Sequence, residues 1–225
     1  MALKGTTSLR TGLKQSEAVV RAMGEGKHFL LAQRVQSPDF KGHFPIRDLE
    51  FFLVPDSSGL DRGNVRPEFQ EMLDGKPDND GKQVTVRYKA SAVEVVMVPG
   101  IPDLAPFSDW HIWTEEHLRG QLEWDPTDPP YLLTCKVTRL DPPVVIPWQE
   151  AYGGSSPWIR IQEEELPPLA LEPVIEHKDF LKVVVDFKKA LAEAQKNPVE
   201  RPEAAAAAAA PAKPAAAGPK DGAAG

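Results

Sequence analysis

The sequence has very little cysteine and no long apolar run, and both absences exclude classes of protein. Cys135 is the only cysteine among 225 residues, so neither an intramolecular disulfide nor a zinc site built from several cysteines can form. No stretch approaches the roughly 20 consecutive apolar residues that a membrane-spanning helix needs. The first seven residues lack the apolar core of a secretory signal. We therefore expect a cytoplasmic protein without membrane contacts.

The chain also has too few basic residues for nonspecific binding to nucleic acid. It carries 26 Lys and Arg against 33 Asp and Glu, a net charge of −7, and this field repels polyanions. Residues 1–70 hold ten basic and eight acidic side chains, whereas residues 71–200 hold 13 and 23. The first part can present a local basic surface, and the acidic later half can meet a protein partner.

Composition divides the chain near residue 197. The pattern over 1–197 predicts a single globular α+β domain. Residues 198–225 are mostly Ala, Pro and Gly, with seven alanines in a row from Ala204 to Ala210. Because the stretch from Arg201 onward has no large apolar side chain, it cannot bury enough surface to offset the entropy of ordering. We predict a disordered tail, and a tether to a partner is the alternative.

Short apolar and β-branched runs predict six strands in the domain. Val84, Val86 and Tyr88, for example, alternate with polar residues, which is typical of a half-buried strand. The predicted strands cover 27–35, 48–54, 83–98, 131–140, 144–146 and 158–161. Six strands in a compact body favour a small β-barrel or a strongly twisted mixed sheet with flanking helices.

Helical spacing of apolar residues predicts the helices. One helix is expected over 12–23, ended by Gly24 and Gly26. Others are expected over 66–73, after Thr114 as N-cap, and over 177–196. The last of these places four apolar side chains on one face, and it should pack on the sheet or barrel. They are Phe180, Val184, Phe187 and Leu191.

Several segments, taken in order, resemble an uncharacterised prokaryotic family. They are Leu13-Lys14-Gln15, Gly26-Lys27 with the strand ending at Arg34, Phe51-Phe52-Leu53-Val54-Pro55, His111-Ile112-Trp113-Thr114-Glu115-Glu116, Tyr152-Gly153-Gly154 and Trp158. Across about 13–187 this order is similar to domain of unknown function 1802, a name that implies no activity.

Polar positions depart from the pattern of that family. The family has Lys-Gly-Gly after the arginine of its first strand and His-Gln after its Phe-Phe strand. This chain has Val35-Gln36-Ser37 and Asp56-Ser57-Ser58 there, and Ser155 where the family often has cysteine. The apolar positions are kept while the polar ones differ, so we expect a ligand site shared by the family to be altered or lost here.

The order of elements is also similar to the PUA-like folds, especially their ASCH branch. The shared features are Gly26-Lys27 leading into a strand with Arg34, a long β region, and a proline-rich turn after the strand over 131–140. Those folds are small β-barrels that mostly bind RNA or modified bases. The resemblance therefore implies RNA or a nucleotide as ligand, although fold analogy alone does not establish function.

The aromatic residues suggest where such a ligand would bind. His111 lies between two tryptophans just before a helix, an arrangement that can stack a planar ligand; alternatively, both indoles fill the core. Tyr152 precedes two glycines, which permit close backbone approach; alternatively, this is a structural turn.

We therefore hypothesise a non-catalytic binding module for a nucleotide, a modified base or an RNA element, with no cofactor and no metal. Arg34 would supply charge and the aromatic side chains would stack. The five are expected to border one open cavity. The predicted ligand-binding residues are Arg34, His111, Trp113, Tyr152 and Trp158.

Two other functions stay open from the sequence. A metal-dependent, nuclease-like enzyme could use Glu50 and Glu94 with Lys89, although the Glu-x-Lys signature and any His-Glu-x-x-His motif are absent. A protein-interaction subunit could use the acidic later half and the tail. Cys135 lies in an apolar strand, which favours packing over reactivity. The sequence leaves ligand identity and oligomeric state undetermined.

Overall fold

The computed structural model describes residues 11–34, 49–56, 60–98, 103–123, 125, 128–154, 156–161 and 170–196. The predicted tail over 198–225 lies outside the described residues. None of the described helices combines the length and the apolar character needed to cross a membrane.

Seven strands among the described residues form one mixed sheet. They are β1 (Thr11–Ser16), β2 (Leu30–Arg34), β3 (Glu50–Asp56), β4 (Gln83–Met97), β5 (Pro130–Pro147), β6 (Trp158–Arg160) and β7 (Ala170–Pro173). Their order is β2-β5-β4-β3-β1-β6, and β7 also pairs with β5. β1 and β3 run parallel, while the other pairs among the described strands are antiparallel. The sheet is not closed, so the α+β class is confirmed and the twisted mixed sheet is the architecture observed.

The part of the chain that the structure describes has three α-helices beside this sheet: α1 (Glu17–Gly24), α2 (Glu115–Gln121) and α3 (His177–Ala194). Four 3-10 segments cover Arg62–Asn64, Pro67–Leu73, Ala105–Trp110 and Glu150–Tyr152. The N-cap predicted at Thr114 is confirmed, because its hydroxyl accepts a hydrogen bond from the backbone N–H of His117 at 3.3 Å. The helix predicted over 66–73 is a 3-10 segment.

The helix predicted over 12–23 is wrong in its first half. Residues Thr11–Ser16 form β1, in which fully buried Leu13 pairs with Leu53 of the parallel strand β3. Tertiary pairing overrides the helical spacing here, because residues 11–16 pair with β3 on one side and with β6 on the other. The predicted end is confirmed: α1 stops at Gly24, and Gly26 has a φ of 69°.

The strands predicted over 131–140 and 144–146 are parts of one long strand, β5. Its beginning pairs with β2 and a later stretch, Thr138–Asp141, pairs with β7 on the same edge. β7 was not predicted, because all four of its residues are exposed and show no apolar alternation.

Among the described residues, two main apolar cores, a larger and a smaller, lie on opposite faces of the sheet, and Phe29 forms a separate cluster with Phe180 and Val184 of α3. Phe51 and Leu53 of β3 contribute to the larger core, which includes α1, whereas Phe52 and Val54 contribute to the smaller one. The face predicted for α3 is confirmed, since all four of its apolar residues are buried. They are Phe180, Val184, Phe187 and Leu191.

Candidate functional site

Three side chains form a row across β4, β5 and β7. Arg139 of β5 is paired with Tyr88 of β4 on one side and with Glu172 of β7 on the other. Paired residues of neighbouring strands point to the same face. Since neighbouring strands lie about 4.8 Å apart, the row spans roughly 10 Å.

This row lines an open groove of about 390 Å³, together with Arg87 and Asp141. We call it the β4–β5–β7 groove. Arg139, Asp141 and Glu172 are exposed, and none of them forms an ion pair with another described residue. The volume is near the lower end for small-molecule sites. The groove therefore offers a ligand of modest size charges of both signs that no other described residue pairs.

An irregularity in strand pairing shapes the groove. Val86 pairs with Val144, but Tyr88 pairs with Arg139, so residues 140–143 of β5 face the single residue Arg87. In a regular strand, successive side chains point to opposite faces. The bulge breaks this alternation, and both Arg87 and Tyr88 can line the groove.

Arg87 is held in place by Asp78. Its Nε and Nη2 donate three hydrogen bonds of 2.8 to 3.0 Å to the two carboxylate oxygens of Asp78. These hydrogen bonds raise the pKa of Arg87. The guanidinium is therefore oriented before any ligand arrives, and part of its charge is already compensated.

Tyr88 is positioned by the end of α1. A Cβ atom at Gly24 would overlap the Tyr88 ring, so only glycine lets the phenol lie against the helix backbone at this point. The ring is half-buried and lines the groove.

Of the five residues predicted to bind ligand, the structure brings His111 and Trp113 together. Their rings stack with centroids 5.7 Å apart, and both side chains are buried, at 3% and 4% exposure. His28 meets Trp113 edge-on at 4.6 Å. Desolvation lowers the pKa of His28 to about 3 and that of His111 to about 4. These rings therefore pack in the core as neutral groups instead of forming an open ledge.

Arg34 lies elsewhere, at the end of β2. Its guanidinium donates hydrogen bonds to the backbone oxygens of Asp128 (2.9 Å) and Glu123 (2.6 Å). These contacts tie β2 to the loop that leads into β5.

Tyr152 and Trp158 lie near β1, at the opposite end of the sheet from β2. Tyr152 is buried in the smaller core against Trp148, with ring centroids 5.7 Å apart. Trp158 packs edge-on against Phe51 of the larger core at 5.2 Å. The five residues thus do not border one cavity, and their assignment to ligand binding stays a prediction.

The carboxylates named for the nuclease hypothesis form separate ion pairs. Glu50 accepts hydrogen bonds from Lys89 (2.7 Å) and Ser91 (3.2 Å), and the contact with Lys89 lowers the pKa of Glu50. Glu94 pairs with Lys188 of α3 at 2.6 Å. Within the described ranges no three His, Cys, Asp or Glu side chains lie close enough to hold a metal ion.

Cys135 is fully buried in β5, and burial raises the pKa of its thiol. The sequence-based interpretation of this cysteine as a packing residue agrees with that position.

Sequence reasoning missed the groove residues, although one signal was present. Every second residue of β5 from Tyr131 to Val137 is apolar and buried, and Arg139 is the next residue in that series. A charged side chain at the end of an apolar face indicates that the face opens to solvent or to a ligand at that point. Glu172 had no such signal, because β7 itself was not predicted.

Comparison with protein families gives one match. The family model called domain of unknown function 1802 matches residues 12–186. The chain belongs to this family. The match runs from the second residue of β1 to α3, includes all the groove residues and confirms the resemblance found in the sequence. Comparisons with curated proteins and with solved structures find no match. Because the description of domain of unknown function 1802 states no activity, function has to be argued from the geometry of the site.

Proposed function

We propose that this member of the 1802 family is a non-catalytic binding protein for a mononucleotide, which it takes in the β4–β5–β7 groove. The observation that carries the proposal is that two arginines and a tyrosine, Arg87, Arg139 and Tyr88, line one open groove. Guanidinium groups bind phosphate oxygens through paired hydrogen bonds. An aromatic ring offers a contact surface to a flat base.

The charges support a single nucleotide over a long nucleic acid. Asp141 and Glu172 border the same groove, and they would repel the continuous phosphates of a polymer. The net charge of −7 also repels a nucleic acid polymer at long range. One phosphate, in contrast, can be placed on Arg139 and directed away from both carboxylates.

The chemistry of the groove supports binding over catalysis. Asp141, Glu172 and Tyr88 of the groove could act as acids, bases or nucleophiles, but no hydrogen bond among the described residues joins any of them to a second side chain of the groove, so no nucleophile–base pair is assembled there. The groove residues do supply the two functions that recognition of a nucleotide needs, namely a cation for phosphate and a ring for the base.

The test is calorimetric titration of the full chain with nucleoside 5′-monophosphates at low ionic strength. Arg139→Ala should weaken binding about tenfold or more, because a hydrogen bond to a charged group contributes about 1.5–3 kcal/mol. Arg160→Ala is the matched control, since Arg160 is also an exposed strand arginine but lies on β6, and it should bind like the wild type. Equal affinities for the wild type and the Arg139 variant would refute the proposal.

A further inference from the structure

We infer that the β4–β5–β7 groove holds one phosphate group and rejects a second, so that it selects nucleoside monophosphates against diphosphates and triphosphates. This inference rests on the proposed function, which places the phosphate on Arg139 and the base on Tyr88. The observation behind it is the chemistry of the side chains around Arg139 on its face of the sheet, since this chemistry differs from one direction to the next.

Strand register sets the neighbours of Arg139. Pairing places Tyr88 of β4 on one side of it and Glu172 of β7 on the other, each about 4.8 Å away. Along β5, the alternation of side chains places Val137 two residues before it and Asp141 two residues after it, each about 7 Å away. Arg139 therefore lies between a phenol ring, a buried valine and two carboxylates.

The position of the base fixes the direction in which a chain of phosphates continues. With the base on Tyr88 and the first phosphate on Arg139, the ligand crosses from β4 to β5, and the next side chain in that direction is Glu172. Towards Val137 the face is closed, because this residue is part of the larger core. The remaining direction, along β5, leads to Asp141.

A second phosphate therefore meets a carboxylate in either open direction, since Glu172 and Asp141 are exposed and line the groove. In water, two like unit charges about 5 Å apart repel enough to weaken binding about fourfold, and a lower local dielectric constant increases this factor. Arg87 offsets the repulsion only in part, because Asp78 already compensates some of its charge. The first phosphate is stable because Arg139 contacts it directly.

The test is calorimetric titration of the full chain with the 5′-monophosphates and 5′-diphosphates of adenosine, guanosine, cytidine and uridine, first in EDTA. Each monophosphate that binds should bind about fivefold or more tightly than the diphosphate of the same nucleoside. Glu172→Gln and Asp141→Asn remove one negative charge each and keep the size of the side chain, so each should lower this ratio about threefold or more. Glu116→Gln, which changes an exposed acid on α2, is the control and should keep the ratio.

Magnesium provides a second arm of the experiment. Mg²⁺ is commonly bound by one or two carboxylates together with the phosphates of a substrate, so a groove built for a magnesium diphosphate would bind the diphosphate more tightly when the ion is added. We expect the monophosphate to stay the tighter ligand in Mg²⁺. A diphosphate that binds more tightly than its monophosphate, in either buffer, overturns this inference.

The outcomes separate this inference from the proposed function. Equal binding of monophosphates and diphosphates by the wild type, weakened by Arg139→Ala, overturns the selection for one phosphate and leaves the proposed function intact. A preference for the monophosphate that is unchanged in both Glu172→Gln and Asp141→Asn overturns the role of the two carboxylates. Absence of binding to all the compounds overturns both proposals.

Discussion

Single residues in this protein show how the same side chain serves structure at one position and is available for binding at another. Arg34 donates hydrogen bonds to the backbone oxygens of residues 123 and 128, and Arg21 donates hydrogen bonds to those of Met72 and Lys76. Arg139 has no such partner among the described residues. Because the guanidinium has a fixed set of donors, one that binds loop carbonyls has few left for a ligand. This is why Arg139, and not Arg34, carries the proposal.

Gly24 is the residue on which the position of Tyr88 depends most. Gly24→Ala should destabilise the protein by about 1–3 kcal/mol, because the added Cβ overlaps the phenol ring. The loss can be measured by urea denaturation. Gly120→Ala in α2 is the control: a Cβ there meets nothing within 4 Å, and alanine favours helix by up to about 1 kcal/mol. Equal effects of the two substitutions would contradict the close packing of α1 on Tyr88.

At the scale of elements, the segment Trp110–Thr114 depends on neutral histidines. The backbone N–H of Ile112 donates to Nδ1 of His28 at 3.3 Å, and Nε2 of His28 donates to the backbone oxygen of Leu30. His111 stacks on Trp113 beside it. Protonation of either ring would place a charge in the larger core. The hydrogen bond and the ring contacts that hold this segment should therefore weaken at acidic pH.

The pH dependence of stability follows from the low pKa values of His28 and His111, about 3 and about 4. Between these values and the ordinary pKa near 6.5, the unfolded chain binds more protons than the folded chain, so the free energy of unfolding falls as pH falls. Each histidine contributes a slope of up to about 1.4 kcal/mol per pH unit. Urea denaturation at pH 7, 6 and 5 measures it.

Variants assign that slope to the histidines. His111→Gln should reduce the slope by up to about 1.4 kcal/mol per pH unit, which is the contribution of one proton. This holds regardless of its effect on the free energy of unfolding at pH 7. His177→Gln, at an exposed position at the start of α3, is the control for the exchange of histidine for glutamine. A slope that is the same in the wild type and in His111→Gln would contradict the buried, neutral state of His111.

Elements with a clear apolar period could be predicted from the sequence, and the others could not. β4 and α3 show periods of two and of 3.6 residues, and both were predicted within a few residues of their observed bounds. β1 was predicted as helix because its partner β3 is distant in sequence, and pairing with a distant strand produces no recognisable pattern within the residues of β1 themselves. β7 is exposed throughout, so the edge that carries Glu172 could not be predicted.

The candidate site was harder to predict than the fold for a related reason. Aromatic residues near a helix start, His111 and Trp113 among them, are typical of both cores and ligand surfaces, and only tertiary packing distinguishes the two. The β4–β5–β7 groove depends on the bulge opposite Arg87 and on the pairing of Arg139 with Glu172. Both are properties of strand register, which a single sequence does not reveal.

At the scale of the whole molecule, the apolar cores and the β4–β5–β7 groove, where we propose that the ligand binds, lie at different places on the open sheet. α1 and α3 pack on the larger core, and a second core covers the other face near β1 and β6. The groove lies where β5 passes from β2 to β7, beside the end of α1. A site on a rigid sheet can hold side chains in place before the ligand arrives, which is what a binding protein requires.

The most direct measurement is an NMR titration of the isotopically labelled full chain with nucleoside 5′-monophosphates, read residue by residue. The account predicts that the amide signals of Tyr88, Arg139 and Glu172 shift in a saturable way, while those of Arg34 and Trp113 stay in place. Shifts confined to the neighbourhood of Arg34 and Trp113, or no saturable shift in the groove, would contradict it.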